Sequence, residues 1–352
     1  MAQARQYGLD YAKILATLGV IAIHTTVFLG SVQLGADADV RVASIYGTLA
    51  RFAVPLFFMV SGALFLGRTD INYKTIWRKY ILRLTIVWIS WMIIYAIFTM
   101  CITGIDGGIR ATISHFLYEA THFMTNNQAI HLWFLPAMMF AYALLPIGWA
   151  IAHDPKILRY CVVLILSGST LVMIGRLVAP ITSIGADINA LISTIPISTI
   201  FTPFSLMLVG YYLYSTPFLR DQRIIIYILG VLGAIVSVVM TGEGELAGMF
   251  VDYYLPPMLI FTVALLVATK QLPSPRNKLA ERILKSLSAC LLGIYLIHQI
   301  VLYYMLVNFP LKYVERPLSI VVFPGLILAA FIISWAIVWF IRVLPAPRKL
   351  VD

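Results

Sequence analysis

The stretch GVIAIHTTVFLG sets one imidazole, His24, in the middle of an apolar run. Lys13 lies eleven residues earlier. Eleven residues make three helical turns, so both side chains fall on one face, about 16 Å apart along the axis. Asp10 and Thr17 share the same stripe. Two roles fit His24. A neutral ring can serve as hydrogen-bonding glue between helices. A ring facing a cavity titrates near neutrality and can take and return a proton. The aligned Lys13 and Asp10, with Thr25 and Thr26 beside the ring, favour the second.

A second group of reactive side chains is cationic. Lys74, Arg78, Lys79 and Arg83 crowd the start of IWRKYILRLTIVWISW and the residues before it. Such clusters hold topology. Arg83 lies a further turn into the apolar run, deeper than snorkelling needs, and a planar guanidinium there suits the phosphates of a ligand. Four more residues stand toward the opposite end of the spans. His131 opens HLWFLPAMMFAYALLP beside Trp133 and is either an interfacial residue or a residue of the acceptor side of the site. His298, in GIYLIHQIVLYY, is either a satisfied buried imidazole or a lining residue. Arg51 and Arg176 can each bind an anionic acceptor or anchor a helix at the interface. Ser61-Gly62 is a small-residue spot suited to close packing. His115, Glu119 and His122 share a helical face, but no fourth ligand supports them, so no metal is expected. Cys101, Cys161 and Cys290 give neither a disulfide framework nor metal spacing.

The elements that position these groups follow from composition. The 352 residues are 61% hydrophobic and 11% charged, against about 25% charged in soluble domains. The chain is therefore an all-α integral membrane protein. About ten stretches reach the roughly 20 apolar residues that a span needs. They centre near Ile21, Phe57, Ile93, Phe140, Ile165, Phe204, Ile235, Phe261, Ile297 and Ile333. They form one bundle, a single domain over residues 1–352. The loop before His131 carries a further amphipathic helix. All but six of the 25 Lys and Arg residues fall on one side; the six are Arg41, Arg51, Arg110, Arg176, Lys312 and Arg316. Basic loops stay inside, so both termini are expected in the cytoplasm. The net charge of +10 is thus a topology signal, and no nucleic-acid partner is expected. Prolines 55, 136, 146, 196, 203, 256 and 257 lie within the spans and suggest kinked helices around a cavity.

The segments LDYAKILATLGVIAIHTT, VPLFFMVSGALFL, HLWFLPAMMFAYALLP and LLGIYLIHQIVL, with the basic start to the third span, resemble the membrane-bound acyltransferase 3 family. Within it they are similar to short forms lacking an appended soluble domain, of the kind that O-acetylates enterobacterial common antigen. The resemblance implies transfer of an acyl group, usually acetyl from cytoplasmic acetyl-CoA, to a hydroxyl. The acceptor would be a cell-envelope polysaccharide or its lipid-linked precursor, outside a bacterial inner membrane. The family's basic residue and histidine fall on Lys13 and His24, with lysine where arginine is usual. Of its arginine pair on the third helix only Arg83 matches, Tyr80 and Lys79 standing near the other. A transporter of serine, or of a lipid-linked sugar, is the rival reading, because the membrane part of vancomycin-type serine racemases shares the resemblance. The topology has a direct check. Alkaline phosphatase fused after residue 352 should be inactive, and after residue 125 active; the reverse pattern would invert the orientation.

Overall fold

The computed structural model describes residues 5–31, 37–68, 70, 72–103, 109–122, 129–179, 183–194, 203–241, 253–308 and 316–344. Helices make up nearly all of these residues, and no strand occurs among them. In chain order they are α1 (Tyr7–Ser31), α2 (Asp37–Ala50), α3 (Ala53–Phe65), α4 (Leu82–Thr103), α5 (Ile109–Thr121), α6 (Phe134–Ala143), α7 (Leu145–Ala152) and α8 (Pro155–Val178). There follow α9 (Ser183–Thr194), α10 (Pro203–Ser215), α11 (Arg220–Met240), α12 (Pro256–Lys270), α13 (Lys278–Asn308) and α14 (Arg316–Val343). A π-helical segment, Ile76–Ile81, leads into α4, and a 3-10 turn, Ile130–Trp133, leads into α6.

Among the described residues seven stretches are long and apolar enough to cross a membrane, and eight if α6 and α7, bent by 55°, count as one span. Each of the ten expected centres lies on a helix. Those near Phe204 and Phe261, however, fall on α10 and α12, which have 13 and 15 residues. Both are short of the roughly 20 that a helix needs to span alone. The expected loop helix is present as α5; the side chains of His115 and Glu119 lie outside the described residues.

The prolines act differently from expectation. Pro55, Pro136, Pro146, Pro203, Pro256 and Pro257 all stand in the first turn of a helix, where a missing N–H costs nothing. They start helices rather than kink them. At Pro146 the ring also crowds the carbonyl four residues back, and the α6–α7 bend falls there. Pro196 lies outside the described residues.

Close packing rests on glycine. α3 crosses α10 where Gly62 meets the Met207 carbonyl and Gly210 meets the Met59 carbonyl. Gly230 and Gly233 of α11 approach Ala264 and the Pro257 carbonyl in the same way. Without a hydrophobic drive between helices in lipid, such close contact supplies the association energy. The opposite side of α11 leaves Ile225, Ile228, Val231 and Ile235 exposed, as a lipid-facing surface requires. Adding a methyl at the α3–α10 crossing should force the helices apart. Gly62→Ala is expected to cost about 1–3 kcal/mol, read as a lowered unfolding midpoint in detergent; an unchanged midpoint would show that the crossing is not tight.

Candidate functional site

The inner part of the site forms where α1 meets α13. Asp10, almost fully buried, pairs with Lys13 at 2.7 Å and with Arg5 at 2.6 Å. The Ser288 hydroxyl donates to Asp10 at 2.6 Å, and Lys13 donates to Ser288 at 3.0 Å. One carboxylate and one hydroxyl thus fix the Lys13 ammonium in place, with Arg5 sharing the carboxylate. It faces a cavity of about 380 Å³ that is also lined by Lys79, Tyr80, Arg83, Ser61, Phe65 and Tyr142. The π-helical segment carries Lys79 and Tyr80 onto that wall, with Arg83 one turn later. Rings of Phe65, Tyr80 and Tyr142 stand 5.0–6.1 Å apart and form an aromatic side to the cavity. Three cations beside flat rings suit a phosphate-bearing ligand with a planar or extended organic part.

Beyond the apolar end of this cavity lie three histidines brought together from three elements. His24 of α1, His131 of the 3-10 turn and His298 of α13 form a triangle, with ring centroids 5.9, 5.2 and 5.0 Å apart. His131 and His298 are fully buried, and His24 is partly exposed. One turn of α13 holds them. His298 Nδ1 donates to the Tyr295 carbonyl at 2.5 Å, and His131 Nε2 to the Leu296 carbonyl at 3.3 Å. The Gln299 carboxamide lies 2.9 Å from His24 Nδ1. Tyr95 of α4 donates to the Leu296 carbonyl at 2.8 Å, and Tyr295 donates to the His131 carbonyl. Nδ1 of His131 and Nε2 of His298 have no hydrogen-bond partner among the described residues. Leaving buried polar atoms unpaired costs about 1–3 kcal/mol each, a cost that a small polar group bound here would relieve. Among the described residues no set of three or more His, Cys, Asp or Glu is arranged to hold a metal ion.

Three rings separate the two halves. Phe57, Phe134 and Tyr295 all line the inner cavity and contact one another at 5.5–6.5 Å between centroids. The Tyr295 ring then touches His131 at 5.5 Å and His298 at 5.9 Å. The polar stripe of α1 therefore does not run open from Lys13 to His24; an aromatic septum lies across it.

Of the residues expected from the sequence, Lys13, Lys79 and Arg83 meet at the inner cavity with Asp10 paired to Lys13, and His24, His131 and His298 meet in the triangle. Of the two readings of His131, the structure disfavours the interfacial one: the residue is buried, and its ring lies 5.0 Å from that of Tyr95. Arg78 and Lys74 are exposed on the outside of the segment before α4. Arg51 occupies the break between α2 and α3, and Arg176 the last turn of α8; both are half-buried, on elements other than those that carry the histidines. Ser61 lines the cavity and Gly62 serves the crossing. Tyr95, Tyr295, Gln299 and Ser288 were not singled out by the sequence. The one signal was that Tyr295 and Gln299 flank His298 at −3 and +1.

A polytopic helical membrane protein with a cationic cavity on one side of a buried histidine cluster is the class that fold and site define. The acyltransferase 3 family model, described as an acyltransferase domain, matches residues 6–339. The chain belongs to that family. It is also similar to an amino-acid racemase of Enterococcus faecalis, 27% identical over 139 residues that make up 38% of this chain and 18% of that protein. The aligned stretch thus spans less than a fifth of the relative's length. No solved structure matches.

The ion-pair network gives a testable expectation. Replacing Asp10 by Asn removes charge-assisted bonds to three partners and should lower stability by about 1.5–3 kcal/mol. Because Ser288 shares the network, the loss on adding Ser288→Ala should be smaller in Asp10→Asn than in the unsubstituted protein. Additive losses in detergent unfolding would mean that the two residues do not act together.

Proposed function

We propose that this protein transfers an acyl group, acetyl by preference, from cytoplasmic acyl-CoA to a hydroxyl outside the membrane. The acceptor would be a cell-envelope polysaccharide or its lipid-linked precursor, at a bacterial inner membrane with both protein termini in the cytoplasm. The observation that carries this reading is the contact through Tyr295 between a cavity bearing Lys13, Lys79 and Arg83 and a triangle of histidines, one of them partly exposed. Membership of an acyltransferase family supports it.

The chemistry follows from these residues. Phosphates of the donor would dock on Lys79, Arg83 and Lys13, with Arg78 and Lys74 drawing it in from solution. The thioester arm would pass the aromatic septum toward His24. His24 takes the proton of the acceptor hydroxyl as its oxygen attacks the thioester carbonyl. The carbon–sulfur bond breaks, an ester forms, and the proton passes to the departing thiolate. Covalent transfer through the ring is the variant of this scheme in which His24 itself carries the acyl group. Arg51 and Arg176 are the candidates for holding an anionic acceptor.

Purified protein in nanodiscs, supplied with radiolabelled acetyl-CoA and crude envelope glycan, should consume thioester and label the glycan. His24→Asn should lose about 10²–10⁴-fold of that rate. Failure to bind or consume acetyl-CoA would end this reading. A second reading is passage of an amino acid such as serine through the bundle; the name of the racemase relative bears on it only in naming amino acids. Serine counterflow in proteoliposomes without thioester consumption would establish it instead.

A further inference from the structure

The three histidines share a feature that the acyl-transfer scheme leaves unused: each has one ring nitrogen held by the same turn of α13. The partners are the Tyr295 carbonyl, the Leu296 carbonyl and the Gln299 side chain. A carbonyl oxygen can only accept. In neutral rings, therefore, His298 carries its proton on Nδ1 and His131 on Nε2. The nitrogens left over, His298 Nε2 and His131 Nδ1, are lone pairs, and both are buried atoms without a hydrogen-bond partner among the described residues.

Gln299 differs from the other two holders because a carboxamide can donate or accept. The structure sets its Nε2 nearest His24 Nδ1, at 2.9 Å, but the oxygen and nitrogen have nearly the same shape, so the end that faces the ring is an assignment made by hydrogen-bonding logic. With the NH₂ toward Nδ1, His24 would carry its proton on Nε2 and present a donor to the site. With the oxygen toward Nδ1, Nδ1 carries the proton and Nε2 presents a lone pair, the form a general base requires. Gln299 is buried, 3% exposed, and sits eleven residues beyond Ser288 on α13, just as His24 sits eleven beyond Lys13 on α1. The fixed register of the two helices therefore brings the amide to the ring.

We propose that Gln299 is the positioning residue of His24, its carboxamide oxygen accepting from Nδ1–H so that the lone pair stands on Nε2. One turn of α13 is then the template that orients all three imidazoles. Both the role and the choice of tautomer rest on the acyl-transfer reading, which asks His24 for a lone pair on Nε2.

The test is nitrogen NMR of protein labelled with ¹⁵N-histidine in nanodiscs. His24 is one of six histidines, and its signals are those missing from His24→Asn. The expected result is an Nδ1–H, Nε2-lone-pair ring in the unsubstituted protein. Gln299→Leu should release it to a mixture of tautomers and lower thioester consumption about ten-fold or more, part of the ~10²–10⁴ that a positioned base supplies. Gln299→Glu keeps an acceptor oxygen at the same place and should restore the single tautomer. An Nε2–H ring in the unsubstituted protein overturns the proposal, and so does an unchanged tautomer in Gln299→Leu. Should Gln299→Leu fail to fold, the unsubstituted spectrum still decides. Thioester consumption that depends on His24, with the tautomer reversed, would sink Gln299's role and leave acyl transfer standing. The expected tautomer without any consumption would sink acyl transfer and leave only the Gln299–His24 hydrogen bond standing.

Discussion

The parallel packing of α1 on α13 is the constraint that the rest of the structure depends on. The two helices run in the same direction and meet in polar rungs. Tyr7 donates to Glu281 at 2.7 Å, Lys13 and Asp10 join Ser288, and His24 meets Gln299. Tyr7–Glu281, Lys13–Ser288 and His24–Gln299 are offset by 274 or 275 residues, and Asp10 reaches Ser288 from one turn earlier. The last two rungs lie eleven residues apart on both helices, three turns, which keeps one face of each helix toward the other. In hydrocarbon an unpaired polar group costs several kcal/mol. A slip of even one residue would strand charges and rings together, so these rungs fix the register more firmly than apolar packing can.

Much of this was legible from residue types and spacing. Insertion in a membrane follows from composition, and the Lys13–His24 face from helical periodicity alone. That Lys79 and Arg83 line one wall follows from their four-residue spacing, which the π-helical segment alters without separating them. The seven long spans were readable for the same reason, since length and hydropathy are properties of single segments. α10 and α12 were less so: an apolar stretch does not reveal where its first helical turn begins, and the prolines that start these helices looked like interruptions.

What stayed hidden depends on contacts between distant segments. His131 beside Trp133 has the signature of an interfacial residue, and only the 3-10 turn sends it inward. Gln299 is one neutral amide in an apolar helix, with nothing to mark it until His24 arrives from 275 residues away. Tyr295 reads as an ordinary core aromatic. Its place between the cationic cavity and the histidines exists only once α3, α6 and α13 have packed.

The septum of Phe57, Phe134 and Tyr295 has an electrical meaning. Polar groups lie on both sides of it, and a continuous file of water between them would let protons run down the membrane potential, at about 2.3 kcal/mol per charge for every 100 mV. Rings in mutual contact interrupt such a file. Whatever crosses must turn at least one ring aside and fill the gap with its own bulk, so a slender chain can pass the barrier while the cell keeps its voltage.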